Sequence, residues 1–431
     1  MRSAPASFTR EIDSASSGGT KFFCAGLPIR KQHILQENYD VIVVGGGPAG
    51  AATATYLAQA GRSVLLLERA TFPRDKPCGE FLSPPVRGLL DELGAYPAVL
   101  AAGARPVPGA RIHCANGQTF AGQYAGGRQS GLSIERMVFD QLLFENARAA
   151  GVNACEGVAV RGVLRERGRI TGVQTDAGAF RAPVTVGADG GRSRVAREMG
   201  VVRPLLGLQK IALVGHYADV PLETDHPVEM HLHISGAVCG FGPGPGATAD
   251  VTLVVDETEA RCLAAAGPAA YYDAVLSRFP EISQRLRLAQ RTRLATCGTF
   301  GHTTRTPIAD GSLLVGDAAT FIDPFTGEGV YFALRGAQMA SETVLAALVR
   351  GDTSARALRP YARARQREFA PKYAVCGLIQ RIVHSPAWMQ YLAPRFARQS
   401  ALADQLLAVT GDLESPYRLL SPSYALRILT G

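Results

Sequence analysis

Tyr39-Asp40-Val41-Ile42-Val43-Val44 runs straight into Gly45-Gly46-Gly47-Pro48-Ala49-Gly50, and this stretch decides the fold. The first six residues read as a short buried strand. Ala51 to Ala60 is Ala-rich and helical, and Gly61 ends it. Ser63 to Leu67 is a second apolar strand that finishes at Glu68. The result is a βαβ unit with GxGxxG at its first turn. Gly45 permits the tight turn, Gly47 lets the backbone approach a pyrophosphate, and Gly50 lets helix and strand pack closely. Pro48 and Ala49 open the helix, whose free N–H groups and positive dipole end suit phosphates. Glu68 can accept hydrogen bonds from a ribose diol, and Arg69 follows it.

Two further strand ends carry an Asp beside a Gly. Pro183 to Ala188 reads as a strand leading to Asp189-Gly190-Gly191-Arg192-Ser193 and a helix from about Arg194. Ser312 to Val315 leads to Gly316-Asp317-Ala318-Ala319, then Asp323-Pro324-Phe325-Thr326-Gly327-Glu328-Gly329 and a long helix over Val330 to Leu348. Nucleotides bind at such strand ends in α/β sheets. Asp317 can hold a ribityl or ribose hydroxyl. The N–H groups near Gly327 and Gly329 open a helix and can face a negative ring edge.

Together these motifs resemble the FAD-dependent oxidoreductases of the p-hydroxybenzoate hydroxylase fold. Gly45, Gly47, Gly50 and Glu68 match the ADP-binding fingerprint. Gly187-Ala188-Asp189-Gly190, with Ser193 and Arg197, matches the middle motif; Gly316, Asp317 and Pro324 match the late one. Ser133-Ile134-Glu135-Arg136, opening a helix with Phe139 and Asp140, matches a segment whose Arg touches the cofactor. The resemblance spans about Tyr39 to Leu348. Lys76-Pro77-Cys78-Gly79-Glu80-Phe81 further resembles the geranylgeranyl reductase branch, which reduces carbon–carbon double bonds in prenyl chains. That resemblance implies a Cys near flavin and substrate, at Cys78. The branch's tyrosine–tryptophan–phenylalanine–proline motif is absent, and Gly240-Phe241-Gly242-Pro243-Gly244-Pro245-Gly246 stands in its neighbourhood.

The expected architecture is α/β. A Rossmann-like FAD-binding domain of the p-hydroxybenzoate hydroxylase type covers 38–200 and 292–350. An inserted antiparallel-sheet substrate domain covers 201–291, and a C-terminal helical region covers 351–431. Residues 1–37, rich in Ser and Gly without an apolar core, read as a disordered leader. Val228, Met230, Leu232 and Ile234 alternate with Glu229, His231 and His233, a half-buried strand whose polar side reads as a solvated face rather than a metal site. Gly242 to Gly246 reads as a turn between strands.

The 431 residues are 47% hydrophobic and 19% charged, which excludes global disorder. No run reaches the ~18 consecutive apolar residues of a spanning helix. The eight cysteines form no CxxC pair, so neither a disulfide framework nor a zinc site is supported, and a reducing cytoplasm fits. The formal charge is +8. From Arg356 to the C-terminus, eleven basic residues face Glu368, Asp404, Asp412 and Glu414. The same tail carries the helical stripe Val375, Leu378, Ile379, Ile382 and Val383, followed by Trp388 and Met389. It reads as a helical layer on the main domain, with transient docking to anionic membrane as the sharper reading. Nucleic acid is not an expected partner, because no aromatic platform interleaves with the basic residues.

The cofactor reading is FAD, with NAD(P)H or a separate electron-donor protein as reductant, since no second Rossmann fingerprint exists. The expected reaction is reduction of a double bond in a hydrophobic small molecule, with Cys78 and Glu80 as candidates for the proton path. Monooxygenation of an aromatic or polyketide substrate is the alternative. Halogenation is disfavoured, because Trp388 is the sole tryptophan. A flavin-dependent nucleic-acid modifier is a distant third.

Overall fold

The computed structural model describes residues 39–205, 209–223, 225–322, 327–383 and 385–430. The expected leader, and Pro324 with its neighbours Asp323 to Thr326, lie outside the described residues.

Strand Val41–Val44 sits inside a six-stranded sheet. It pairs in parallel with Val64–Leu67 on one side and Val184–Gly187 on the other. Ser312–Leu314 extends the sheet beyond Val184–Gly187, and Asn153–Cys155 extends it beyond Val64–Leu67. All three motif strands are therefore in one sheet and end on one side. Both faces are covered. Val41 and Val43 pack with the helices Pro48–Gln59, Arg136–Ala149 and Gly329–Arg350. Ile42 and Val44 pack toward the small sheet of Val160–Glu166, Arg169–Thr175 and Gly178–Arg181. The near-continuous apolar run of the first strand reflects this two-sided burial.

The first helix, Pro48–Gln59, begins three residues earlier than its Ala-rich stretch suggests, because Pro48 is pre-set for the first helical turn. Gly50 is forced: a Cβ there would lie 1.8 Å from the Gly45 carbonyl oxygen.

A seven-stranded sheet stands beside this unit. Its order is Gln290–Phe300, Lys210–Ala218, Ala249–Asp256, Val238–Pro243, Val228–Leu232, Gly109–His113 and Thr119–Gln123. The stretch 201–291 therefore does not hold the whole sheet. Two strands come from 109–123, and the Val228–Leu232 strand pairs with Gly109–His113 in parallel, so the sheet is not wholly antiparallel. Alternation within that early hairpin is weak, which hid it from the sequence reading. Gly242 and Pro243 belong to a strand, and the turn begins only after them. Ile234 falls beyond its strand and is exposed.

One face of this sheet, with Leu213, Val251, Leu253 and Phe241, packs on Tyr272, Val275 and Ile282 from short helices. The other face, with Val238, Leu232 and Phe120, meets Met389, Ala393, Phe396 and Leu402 of the C-terminal helices. Those helices are Ala355–Val383, Pro386–Arg398, Ser400–Thr410 and Pro422–Thr430. Among the described residues no helix is long and apolar enough to cross a membrane.

Candidate active site

One cavity of about 1140 Å³ runs from the glycine turn, past the Lys76–Phe81 loop, to the C-terminal helices. Gly45, Gly47, Pro48, Ala49, Glu68, Arg69, Cys78, Arg136, Asp189, Gly190, Asp317, Gly327 and Gly329 all line it. Gly50 and Gly316 do not; they shape the turn behind it. A Cβ on Gly316, at φ +61, would sit 2.9 Å from the Ala49 Cβ.

Gly45 holds φ +103, and a side chain there would strike the Ala188 carbonyl at 2.4 Å. Gly47 is different. Its backbone is extended, with φ −73 and ψ −176, so any residue could adopt it. Its nearest neighbour is a flexible one, Arg74 Nη2 at 3.2 Å from a built Cβ. The glycine leaves room over the backbone rather than relieving strain. Glu68 accepts hydrogen bonds from Gly46 N at 2.8 Å and Ala70 N at 2.9 Å, so the carboxylate is fixed at the strand end. The cradle a Cβ would fill, the open helix N-terminus and the fixed acid fit an ADP moiety.

Arg136 is buried and grips Asp140 with two hydrogen bonds, at 2.7 and 3.0 Å. Burial works against its charge, but Asp140 and a hydrogen bond with Cys78 outweigh that and raise its pKa. Arg74 adds a second guanidinium to Asp140 at 3.1 Å. Cys78 is thus half-buried against Arg136 and lines the cavity. Asp189 is raised by burial and spends both oxygens on its own loop: Ser193 Oγ at 2.5 Å and Arg194 N at 2.6 Å. It accepts the N–H groups of Arg194 and Val195 at the start of the helix that Ser193 caps. Asp317 pairs with Lys76 at 3.5 Å, joining the late motif to the Lys-Pro-Cys-Gly loop.

Glu80 is buried and holds φ +55, an uncommon conformation for a residue with a Cβ. Its Oε1 lies 2.9 Å from His216 Nε2, 3.3 Å from Arg136 N and 3.8 Å from Arg293 Nη2. His216 belongs to strand Lys210–Ala218, so this acid ties the loop to the seven-stranded sheet. Arg293, on the next strand, contacts His216 at 2.7 Å and reaches Met137 and Asp75.

The sequence reading named Glu80 but not the sheet residues that meet it. Across the sheet, Gly242 stands opposite Asp250, Asp250 opposite His216, and His216 opposite Arg293. These four residues form one cross-strand row. Asp250 lines the cavity and is 2% exposed. Burial, with Glu80 and Glu135 near, holds its carboxyl well above the usual range.

The polar edge of strand Val228–Leu232 differs from the solvated face expected. Glu229 is buried and bonded to His231 at 3.0 Å and Arg285 at 3.2 Å, while His226 lies at 3.0 Å. Burial opposes its ionisation, but His226, His231 and Arg285 together hold it well below the usual range. His233 instead bonds Ser235. His113, His231 and Glu281 bring ligand atoms within 4.8 Å of one another. The two imidazoles, however, stack 4.1 Å apart at 4°, so their in-plane lone pairs run side by side rather than converge on one ion.

Beyond Cys78 the cavity turns apolar. Ile112, Met230 and Val254 from the sheet face Ile382, Leu392 and Phe396 from the C-terminal helices. The stripe read from the sequence is the outer wall of this channel. A buried polar tie holds it to the site: Lys372 pairs with Asp412, Ser83 Oγ bonds Asp412 at 2.9 Å, and Cys376 Sγ bonds Glu328 at 3.1 Å.

A family model described as an FAD binding domain matches residues 38–372. The chain is 32% identical over 355 residues to digeranylgeranylglycerophospholipid reductase 2 of Methanopyrus kandleri, covering 78% of this chain and 85% of that one. It is 29% identical over 356 residues to conditioned medium factor receptor 1 of Dictyostelium discoideum, covering 75% of this chain and 66% of that one. Among solved structures, a geranylgeranyl bacteriochlorophyll reductase-like protein of Thermoplasma acidophilum matches with TM-score 0.68 and 25% identity, over 91% of this chain and 96% of that one. The flavin-dependent brominase Bmp2 matches with TM-score 0.76 and 21% identity, over 90% of this chain and 100% of that one. This last likeness speaks to fold alone.

Proposed function

Because this chain belongs to the FAD-binding-domain flavoproteins, and to the geranylgeranyl reductase family within them, we propose that it reduces a carbon–carbon double bond in a long apolar, prenyl-like substrate. It is an FAD-dependent oxidoreductase. The observation that carries the finer reading is the channel. It leads away from the cofactor cradle between sheet and helices, and its walls are aliphatic and aromatic. Such a passage suits a chain of isoprene units better than a compact phenol.

FAD, when bound, supplies a two-electron hydride. Gly45, Gly47 and Glu68 would hold its ADP portion, and Arg136, Asp317 and the Gly327–Gly329 turn its flavin end. Cys78 and the Lys76–Phe81 loop would separate the cofactor from the channel mouth. The C-terminal helices exclude water from the apolar part. Electrons would come from a nicotinamide dinucleotide or a reductase protein.

Delivery from an anionic bilayer completes the reading. The C-terminal segments whose inner sides line the channel expose Trp388, Tyr417, Leu420, Leu426 and Leu429 outward. Arg395, Arg398, Arg418 and Arg427 lie among them. About 1 kcal/mol per basic side chain gives reversible contact.

The deciding test is anaerobic. Dithionite-reduced holoenzyme is mixed with a geranylgeranylated glycerophospholipid, and the lipid is weighed by mass spectrometry. Gain of two hydrogens per double bond is the expected result. An unchanged lipid under nitrogen, with a hydroxylated product only when oxygen is admitted, would replace this reading with monooxygenation.

A further inference from the structure

We infer that Asp250 is the acid that delivers the proton to the substrate during the double-bond reduction proposed above, a reading on which the inference rests. Asp250 stands on the cavity side of strand Ala249–Asp256, in the row Gly242, Asp250, His216, Arg293. Its Oδ2 accepts a hydrogen bond from Thr252 Oγ1 at 3.2 Å. Its Oδ1 is buried and has no hydrogen-bond partner among the described residues. A buried carboxylate oxygen without a donor is strongly disfavoured, whereas a carboxylic acid in the same place keeps a proton to give.

The sequence makes room for this acid. A Cβ on Gly242 would lie 2.2 Å from Asp250 Oδ1, so the carboxyl occupies the space that any side chain at 242 would fill. Gly79 of the loop lies against the same carboxyl, with a built Cβ 3.9 Å from Oδ2, an ordinary van der Waals contact. The acid therefore lies directly beside the Cys78-Gly79-Glu80 segment, where cradle and channel meet. Within the glycine-rich stretch around 240–246, Gly242 is the residue that clears the sheet surface for a carboxyl group.

The charged and titratable groups around Asp250 are His216 and Arg293 in its row, Glu80 and Glu135 from the segments packed over it, and Cys239 on the neighbouring strand. Burial first, and then the two acids, favour its protonated form. Glu80 is the weaker candidate for the same task. Its Oε1 is already taken by His216 and the Arg136 N–H, so it is placed to accept rather than to donate.

In the step, the alkene π bond breaks. One carbon forms a C–H bond with a hydride from the reduced cofactor. Its neighbour forms a C–H bond with the Asp250 proton, and the O–H bond of Asp250 breaks to leave a carboxylate. The alkene gains the two electrons that the reduced cofactor gives up, and a reductant of the nicotinamide class restores them. Asp250 regains its proton from solvent that enters the cavity it lines once the product has left.

The test uses the FAD-loaded full chain, with D250N and D250E beside it. Infrared spectroscopy reads the carbonyl stretch of a protonated carboxylic acid at neutral pH. Stopped-flow absorbance reads anaerobic reoxidation of dithionite-reduced enzyme by a geranylgeranylated glycerophospholipid. The expected result is a band present in the wild type, lost in D250N and shifted in D250E, with reoxidation slowed about 10²- to 10⁴-fold in D250N. Dithionite reduction of D250N stays at the wild-type rate. A wild type without the band, or a D250N that reoxidises at the wild-type rate, overturns the inference. If D250N does not fold, D250E decides: an unshifted band there overturns it equally. A wild type that the lipid never reoxidises fails before any variant is compared. That result overturns the double-bond reading and this inference with it.

Discussion

Asp250 and His216 face each other directly across two antiparallel strands, and His216 reaches on to Glu80 at 2.9 Å. An acid from one strand, an imidazole from the next and a carboxylate from a distant loop thus meet at the point where the cofactor cradle opens into an apolar channel. Residues directly opposite on one sheet face have Cβ atoms about 4.5–5.5 Å apart, so the row is fixed by backbone pairing rather than by side-chain choice.

A buried acid kept protonated leaves a signature in stability. The folded-state pKa of Asp250 is raised, so the folded protein keeps this proton to a higher pH than the unfolded chain does. Stability from this group is fully present below the unfolded carboxyl pKa of about 3.9 and falls as pH rises through the folded value. D250N removes that dependence. Its melting temperature is expected to exceed that of the wild type at pH 7 to a degree that shrinks toward pH 4. Equal melting curves at both pH values would show that Asp250 is ionised in the folded state.

Gly47 and Gly50 separate binding from folding. At Gly50 a Cβ meets a backbone carbonyl at 1.8 Å, which cannot yield; G50A is expected to lower the yield of folded protein sharply. At Gly47 the backbone is ordinary and the neighbour is a movable Arg74 side chain. G47V should therefore fold, with a thermal midpoint near that of wild-type apoprotein, yet purify colourless. The ratio of flavin to protein absorbance checks it. A fully yellow G47V would refute the placement of the cofactor over this turn.

The Arg136–Asp140 pair is a two-hydrogen-bond contact with almost no solvent access. Removing one partner leaves an uncompensated buried charge, at a cost of about 3–5 kcal/mol. R136M is expected to lose most of that in denaturant unfolding, softened by Arg74, which also reaches Asp140. The double variant R136M/D140N should recover part of the loss. Additive losses in the double-mutant cycle would show that the two side chains do not depend on each other.

How much of this was legible beforehand follows from what each feature depends on. The glycine turn, Glu68 and the two Asp-Gly strand ends are local: adjacent residues do the work, and the strands were placed to within a residue or two. The C-terminal channel wall was legible as a stripe, because helical period survives in one sequence. The row Gly242, Asp250, His216, Arg293 was not, because its members come from four strands and only pairing register brings them together. Glu229 misled for the same reason: alternation placed it on the polar side of a strand, and short helices carrying Arg285 later covered that side. The charge of Asp189 spoke for a ligand, whereas its hydrogen bonds serve its own loop.

Channel length sets chain-length selectivity. Met230 projects from the sheet toward the C-terminal helices, part-way along the apolar passage. M230W is expected to reduce a dimethylallyl-bearing substrate at a rate near that of wild type while losing at least ~10-fold in kcat/KM on a geranylgeranyl chain. Overpacking here costs about 1–3 kcal/mol, which a thermal melt will register separately. Equal losses on both chain lengths would mean that the substrate does not extend along this passage.

The outer surface of the same helices makes the last prediction. Trp388 is 56% exposed and Leu426 and Leu429 are 60% and 64% exposed, while Met389 and Tyr424, one and two residues from them, are buried on the channel side. Apolar side chains turned to water on the outer side of a wall whose inner side is also apolar are unfavourable, unless a second apolar phase receives them. Arginines along these segments favour an anionic surface over a neutral one. The chain is therefore expected to pellet with phosphatidylserine-containing vesicles at low salt, to pellet weakly with phosphatidylcholine vesicles, and to be released as salt rises. W388S/L426S/L429S should abolish pelleting while reduction of a detergent-dispersed short prenyl substrate continues. If the triple variant pellets like the wild type, the contact lies elsewhere on the molecule, and delivery of substrate through this face fails with it.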